Sequence, residues 1–200
     1  MLLRHNGCVR VSGGFCLVTA WFGLVNGWRL LGSVRGASGV HELGHDLALR
    51  LQGASCGRLR LGVLGAVLES DGGRLSYGRE LVCVLAGPGA NLLCALLLTA
   101  AGRGAWEVMT GANLVLCGFN LLPLRPLDGG RALYLAVSWL AGPAAGETAA
   151  RWAGALTGTL LGTAVVWLMK CTGGSLWLLP TAVAAYFLAV REVFGKQEFL

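Results

Sequence analysis

A succession of apolar runs, each close to bilayer length, limits this chain more than any other feature. A helix needs about 20 residues to cross the hydrocarbon core. Such runs fall at about 11–31, 33–51, 80–101, 105–122, 152–169 and 175–190. Their backbone groups find no water in lipid and must be satisfied within the segment, which makes the runs helices. Hydrophobic residues make up 55% of the chain and charged residues 13%, against about 25% charged in soluble domains. The expected fold is therefore an all-α polytopic membrane protein of six transmembrane helices, forming a single domain over 1–200. A net charge of +6 would suggest nucleic acid in a soluble protein. No basic block interleaved with aromatics supports that partner here.

The charge reads better as topology. Six spans with both termini on one side leave only Arg29, Arg35, Arg103 and Lys170 on the opposite side, and the rest of the 16 basic residues on the terminal side. The positive-inside rule then puts both termini in the cytoplasm. Arg4 and Arg10 precede an apolar run, as in a signal peptide, but Trp28-Arg29 interrupts the place where a cleavage site would fall. An uncleaved first span is the reading. Gly154, Gly158 and Gly162 form a small-residue ladder on the fifth run, and Gly23 and Gly27 a shorter one on the first. Such faces let helices approach closely in lipid, within the chain rather than between copies. The seven cysteines are scattered without a C-x-x-C pair, which points to reduced packing residues rather than a disulfide framework or a thiolate zinc site.

Between the second and third spans, 57–78 is too polar and Gly-rich for another helix. Arg58-Leu59-Arg60-Leu61 alternates, and Asp71-Gly72-Gly73 is a turn signal. A small β-hairpin at the membrane surface fits, and its open edge would accept an extended peptide as an added strand. An ordinary cytosolic loop fits as well.

The chemistry lies in His41-Glu42-Leu43-Gly44-His45, on the second run, the least apolar of the six. Histidines four apart share one helix face, so both imidazoles reach one metal ion, with Glu42 beside them to take a proton. Ionisable residues inside a membrane are costly and mark function. A catalytic zinc has three protein ligands and an open position. His5 lies in the polar tail, Asp46 points along a different helical direction, and Asp71 belongs to the turn signal. Asp128 follows the run Asn120-Leu-Leu-Pro-Leu-Arg-Pro-Leu, where Pro123 and Pro126 break the helix and Gly129-Gly130 leave the backbone permissive. Irregular backbone at membrane depth must be buried or line a cavity, so Asp128 is the best third ligand.

These residues resemble a known family. His41 to His45, Ala86-Gly87-Pro88-Gly89-Ala90-Asn91 and Asn120 to Gly130 together look like the site-2 proteases, intramembrane zinc metalloproteases. They look most like the stage IV sporulation branch, which processes a pro-sigma factor. The resemblance covers about 33–135. It implies one Zn2+ per chain on His41, His45 and Asp128, with Glu42 as general base. It also implies a substrate-contacting loop at Asn120 and Pro126, and a signature position at Asn91 of open role. Substrates would be membrane-associated or single-span proteins cut near the cytoplasmic side, such as a pro-sigma factor or a membrane-anchored regulator. Membrane regulatory or inhibitor proteins would be further partners. The sporulation enzyme's nucleotide-sensing domain has no counterpart, so no appended regulatory domain is expected. Asp46 departs from the relatives. It is either a partner of a ligating imidazole or, with Arg50, a residue lining the water entry. Prenyl-protein endopeptidases and heat-shock metalloproteases share H-E-x-x-H but take a downstream Glu as third ligand, and none of the later glutamates here sits in such a motif. The alternatives are an inactive pseudoprotease or a membrane scaffold that binds partners without cleaving.

Overall fold

The computed structural model describes residues 10–11, 27–53, 56–62, 65–70, 75–102, 106–173 and 179–194. The chain divides into two units, Met1–Gly118 and Phe119–Leu200. Most of the first apolar run, the Asp71-Gly72-Gly73 signal, His5 and Gly23 lie outside the described residues.

In the first unit, helix α1 (Trp28–Leu51) starts after Gly27, whose φ of 84° and ψ of 154° suit almost no other residue. The sequence reading split this stretch near residue 32, between two spans. Instead one 24-residue helix runs through Gly32, because the backbone break falls at Gly27. Three strands, β1 (Arg10–Val11), β2 (Cys56–Gly62) and β3 (Gly65–Ser70), form a sheet in that order. β1 pairs parallel with β2, and β2 pairs antiparallel with β3, Leu59 opposite Leu68 and Leu61 opposite Ala66. Helix α2 (Tyr77–Ala100) carries a buried Pro88, and helix α3 (Glu107–Asn120) follows. α1 packs on α2 at Gly44. A Cβ there would stand 2.5 Å from the Ala86 carbonyl oxygen and 2.7 Å from Ala90 Cβ. The glycine inside the motif thus sets how closely α1 approaches α2.

The second unit begins at the end of α3. Residues 121–127 form turns stitched by backbone bonds from Leu122 to Phe119 and from Leu127 to Leu124, around the buried Leu124. Helix α4 (Asp128–Ala141), helix α5 (Pro143–Cys171) and helix α6 (Leu179–Phe194) follow. The sequence reading assigned no helix to 128–141. At 14 residues α4 is too short for a search tuned to bilayer length, and Gly129-Gly130-Arg131 masks its start. Gly142, at φ 89°, ends α4, and Pro143 opens α5, the usual helix stop and start. α5 packs on α4 and α6.

Among the described residues, α2 and α5 are long and apolar enough to cross a membrane. Their outer faces carry exposed Leu93, Leu96, Leu97, Trp152, Leu156 and Trp167, side chains that lipid would cover. α1 is as long as α2 but carries the ionisable motif.

Candidate metal centre

His41 and His45 lie one turn apart on the face of α1 that meets α2. His41 is buried, at 6% exposure, and His45 is half-buried. Their rings meet edge to face with centroids 4.7 Å apart, and their Nε2 atoms are 3.1 Å apart. Each Nδ1 is engaged on the far side of its ring. His45 Nδ1 donates to the Cys83 carbonyl at 2.8 Å, and His41 Nδ1 donates to Asn91 Oδ1 at 2.7 Å. A carbonyl only accepts, so both imidazoles carry their hydrogen on Nδ1. In the neutral pair, two Nε2 lone pairs then face each other across 3.1 Å. A cation relieves that repulsion. Two nitrogens bound tetrahedrally to zinc at roughly 2.0–2.1 Å stand about 3.3 Å apart. The observed pair fits.

Helix α2 is shaped around this pair. Gly87 faces His45, and a Cβ there would lie 2.6 Å from the ring's Cε1. Pro88 has no N–H to give the Val84 carbonyl, so that turn of α2 is held by one bond fewer. Cys83 is gripped a second time from the residue that caps α1, because Gln52 Nε2 donates to its Sγ at 3.1 Å, and to the Arg79 carbonyl at 2.8 Å. Glu42 follows His41 on α1 and is half-buried. Asp46 makes an ion pair with Arg50 one turn on, Oδ2 to Nε 2.8 Å. That contact fits the reading of both residues as polar groups at a water-accessible edge.

In the second unit, Asp128 opens α4, where the helix dipole favours a negative carboxylate. Its Oδ2 is shut off from solvent. Gly129 and Gly130 have no positive φ. They serve a different purpose from the backbone freedom expected of them. A Cβ on Gly129 would press into the Leu121 and Leu122 carbonyls, and one on Gly130 into the backbone at Leu124 and Arg125. Arg125 spans both carboxylate oxygens of Glu147 on α5, at 2.6 and 3.4 Å, tying the loop that holds Pro126 to the helix behind it. Asn120 ends α3 before that loop. His41, His45 and Asp128 each offer one ligand atom, two imidazoles and a carboxylate, which is a donor set of the catalytic-zinc type. The sequence reading left Asn91 without a role and passed over Asn113. Their signal was polarity on otherwise apolar helices.

No family profile matches the chain. Over 134 residues it is 31% identical to the Synechocystis protein named "Putative zinc metalloprotease sll0528", covering 62% of this chain and 33% of that one. Over 133 residues it is 34% identical to "Putative zinc metalloprotease Rip3" of Mycobacterium tuberculosis, covering 60% and 33%. The chain spans about a third of the length of these curated relatives. Its fold matches the solved site-2 protease of Methanocaldococcus jannaschii with a TM-score of 0.64 at 22% identity, over 100% of this chain and 97% of that one. The sequence likeness is thus to proteins named zinc metalloproteases, over part of their length, and the likeness to the site-2 protease is one of fold. Neither singles out the sporulation branch.

Proposed function

We propose that this chain is the catalytic core of an intramembrane zinc protease, cleaving a membrane-associated or single-span protein near the cytoplasmic side. The observation that carries the reading is the imidazole pair, both hydrogens held on Nδ1 and both Nε2 atoms presented 3.1 Å apart. Asp128, at the start of α4, is the proposed third ligand. Zinc at such a site supplies a Lewis acid for the scissile carbonyl and lowers the pKa of water towards ~7. Glu42 takes the proton of the attacking water and delivers it to the leaving amine. Asn120 and Pro126 flank the loop before Asp128, where a substrate strand would run. A substrate helix has to unwind to expose its peptide bond, so helix-weak segments are the expected targets.

The wider reading comprises six spans, cytoplasmic termini and the β2–β3 hairpin at the membrane surface. It is supported by the two apolar helices, the lipid-compatible faces and the uneven distribution of basic residues. Nothing favours a non-cleaving scaffold, since both histidines and Glu42 are in place.

The purified chain should bind about one zinc, and Asp128→Ala should weaken that binding. Glu42→Gln should keep the metal and lower cleavage by roughly 10²–10⁴-fold, the usual range for a lost general base. Uncut membrane proteins trapped by Glu42→Gln and identified by mass spectrometry would supply the substrate for that assay. A Glu42→Gln protein that still cuts them would refute the mechanism.

A further inference from the structure

Asn91 on α2 and Asn113 on α3 are both fully buried, at 0% exposure. A polar amide in an apolar interior is costly unless its bonds are made, and here they run as a directed chain. Asn113 Nδ2 donates to the Met109 carbonyl at 2.9 Å. Asn91 Nδ2 donates to Asn113 Oδ1 and to the Ala37 carbonyl, both at 2.8 Å. Asn91 Oδ1 is left to accept from His41 Nδ1 at 2.7 Å. Two backbone carbonyls, Ala37 on α1 and Met109 on α3, can only accept. They therefore fix which end of each amide is nitrogen. The atom facing His41 must be an oxygen, and the His41 hydrogen must sit on Nδ1.

We propose that Asn91, oriented by Asn113, is a tautomer-selecting positioning residue, which holds His41 as Nδ1–H and presents its bare Nε2 to the metal before any metal arrives. Zinc-ligating histidines commonly have this done by a carboxylate or a backbone carbonyl. A neutral amide does it without burying another charge, which suits an apolar helix interface. The proposal rests on the zinc reading for its purpose, but the tautomer itself stands on the hydrogen bonds alone. A merely structural bridge between helices would leave the Nδ1–H preference of the ring unchanged once the bridge is cut.

Selective ¹⁵N labelling of histidine gives three imidazoles, of His5, His41 and His45. In the metal-free 200-residue chain, at a pH above the ordinary histidine titration range, His41 should show a protonated Nδ1 and an unprotonated Nε2, its signals assigned by their loss in H41Q. In Asn91→Leu that preference should disappear, and zinc affinity measured by chelator competition should fall about 10–100-fold. Asn91→Asp, which keeps an acceptor at Nδ1, should restore the Nδ1–H form. Asn113→Leu should weaken the preference while leaving Asn91 in contact. An Nε2–H signal on His41 in the metal-free wild type overturns the proposal, with no variant required. So does an Asn91→Leu protein that keeps Nδ1–H and binds zinc within about twofold of wild type. A wild-type chain that shows Nδ1–H but takes up no zinc would refute the metalloprotease reading and leave the Asn91 assignment standing.

Discussion

Gly87 shows how little separates a metal ligand from a blocked one. A single added methyl group would lie 2.6 Å from Cε1 of His45, which real contacts do not tolerate. The ring would have to turn and give up the Cys83 carbonyl. Gly87→Ala should therefore lower zinc affinity by about 10-fold or more while the helical circular-dichroism signal is kept. Equal affinity in that variant would show that His45 has room to spare. The sequence displayed Ala86-Gly87-Pro88-Gly89-Ala90-Asn91 as one signature. It could not divide the labour among its members. Gly87 clears a ring, Ala86 and Ala90 meet Gly44, and Asn91 accepts from the other ring. Each of these roles faces a partner on α1 roughly 40 to 50 positions earlier in the sequence, as with His41 and Asn91 at a separation of 50.

Among the elements, α4 was hidden and α5 was visible. A 29-residue apolar helix announces itself, whereas a 14-residue helix behind a proline-broken loop does not. Gly142 joins them at φ 89° and ψ 162°, a combination almost confined to glycine. Gly142→Ala should cost roughly 1–3 kcal/mol, seen as earlier unfolding in a detergent-denaturant titration. An unchanged midpoint would mean the α4–α5 joint relaxes into ordinary backbone. The glycine ladder of α5 turns towards α6, where a Cβ on Gly158 would stand 3.0 Å from Ala189 Cβ and one on Gly162 would stand 3.0 Å from the Tyr186 ring. The ladder shows as a period of four in the sequence. Its partner helix was not legible, because any small-residue face suits the same stripe.

At the scale of the molecule, the proposed orientation sets Arg29, Arg35, Arg103 and Lys170 against the remaining basic residues. Cys171 follows Lys170 and is exposed, while Cys56 opens β2. With the other cysteines replaced, a membrane-impermeant thiol reagent added to intact cells should label a Cys171-only chain. A Cys56-only chain should react only after permeabilisation. The reverse pattern would invert the topology and place the β2–β3 strands outside the cell.

Composition and short-range spacing were enough to mark long apolar runs, to put His41, Glu42 and His45 on one helix, and to single out Asp128 beyond a proline-broken stretch as a candidate ligand. Those properties depend on residue type and on distances of a few positions, which a sequence states directly. The tertiary structure decided the rest: the Nδ1–H form of both imidazoles, the Asn113–Asn91–His41 chain, and the clearances at Gly44 and Gly87. Each arises where separate helices touch, and a hydrogen bond or a missing methyl group acts only once packing has brought its partner within a few ångströms.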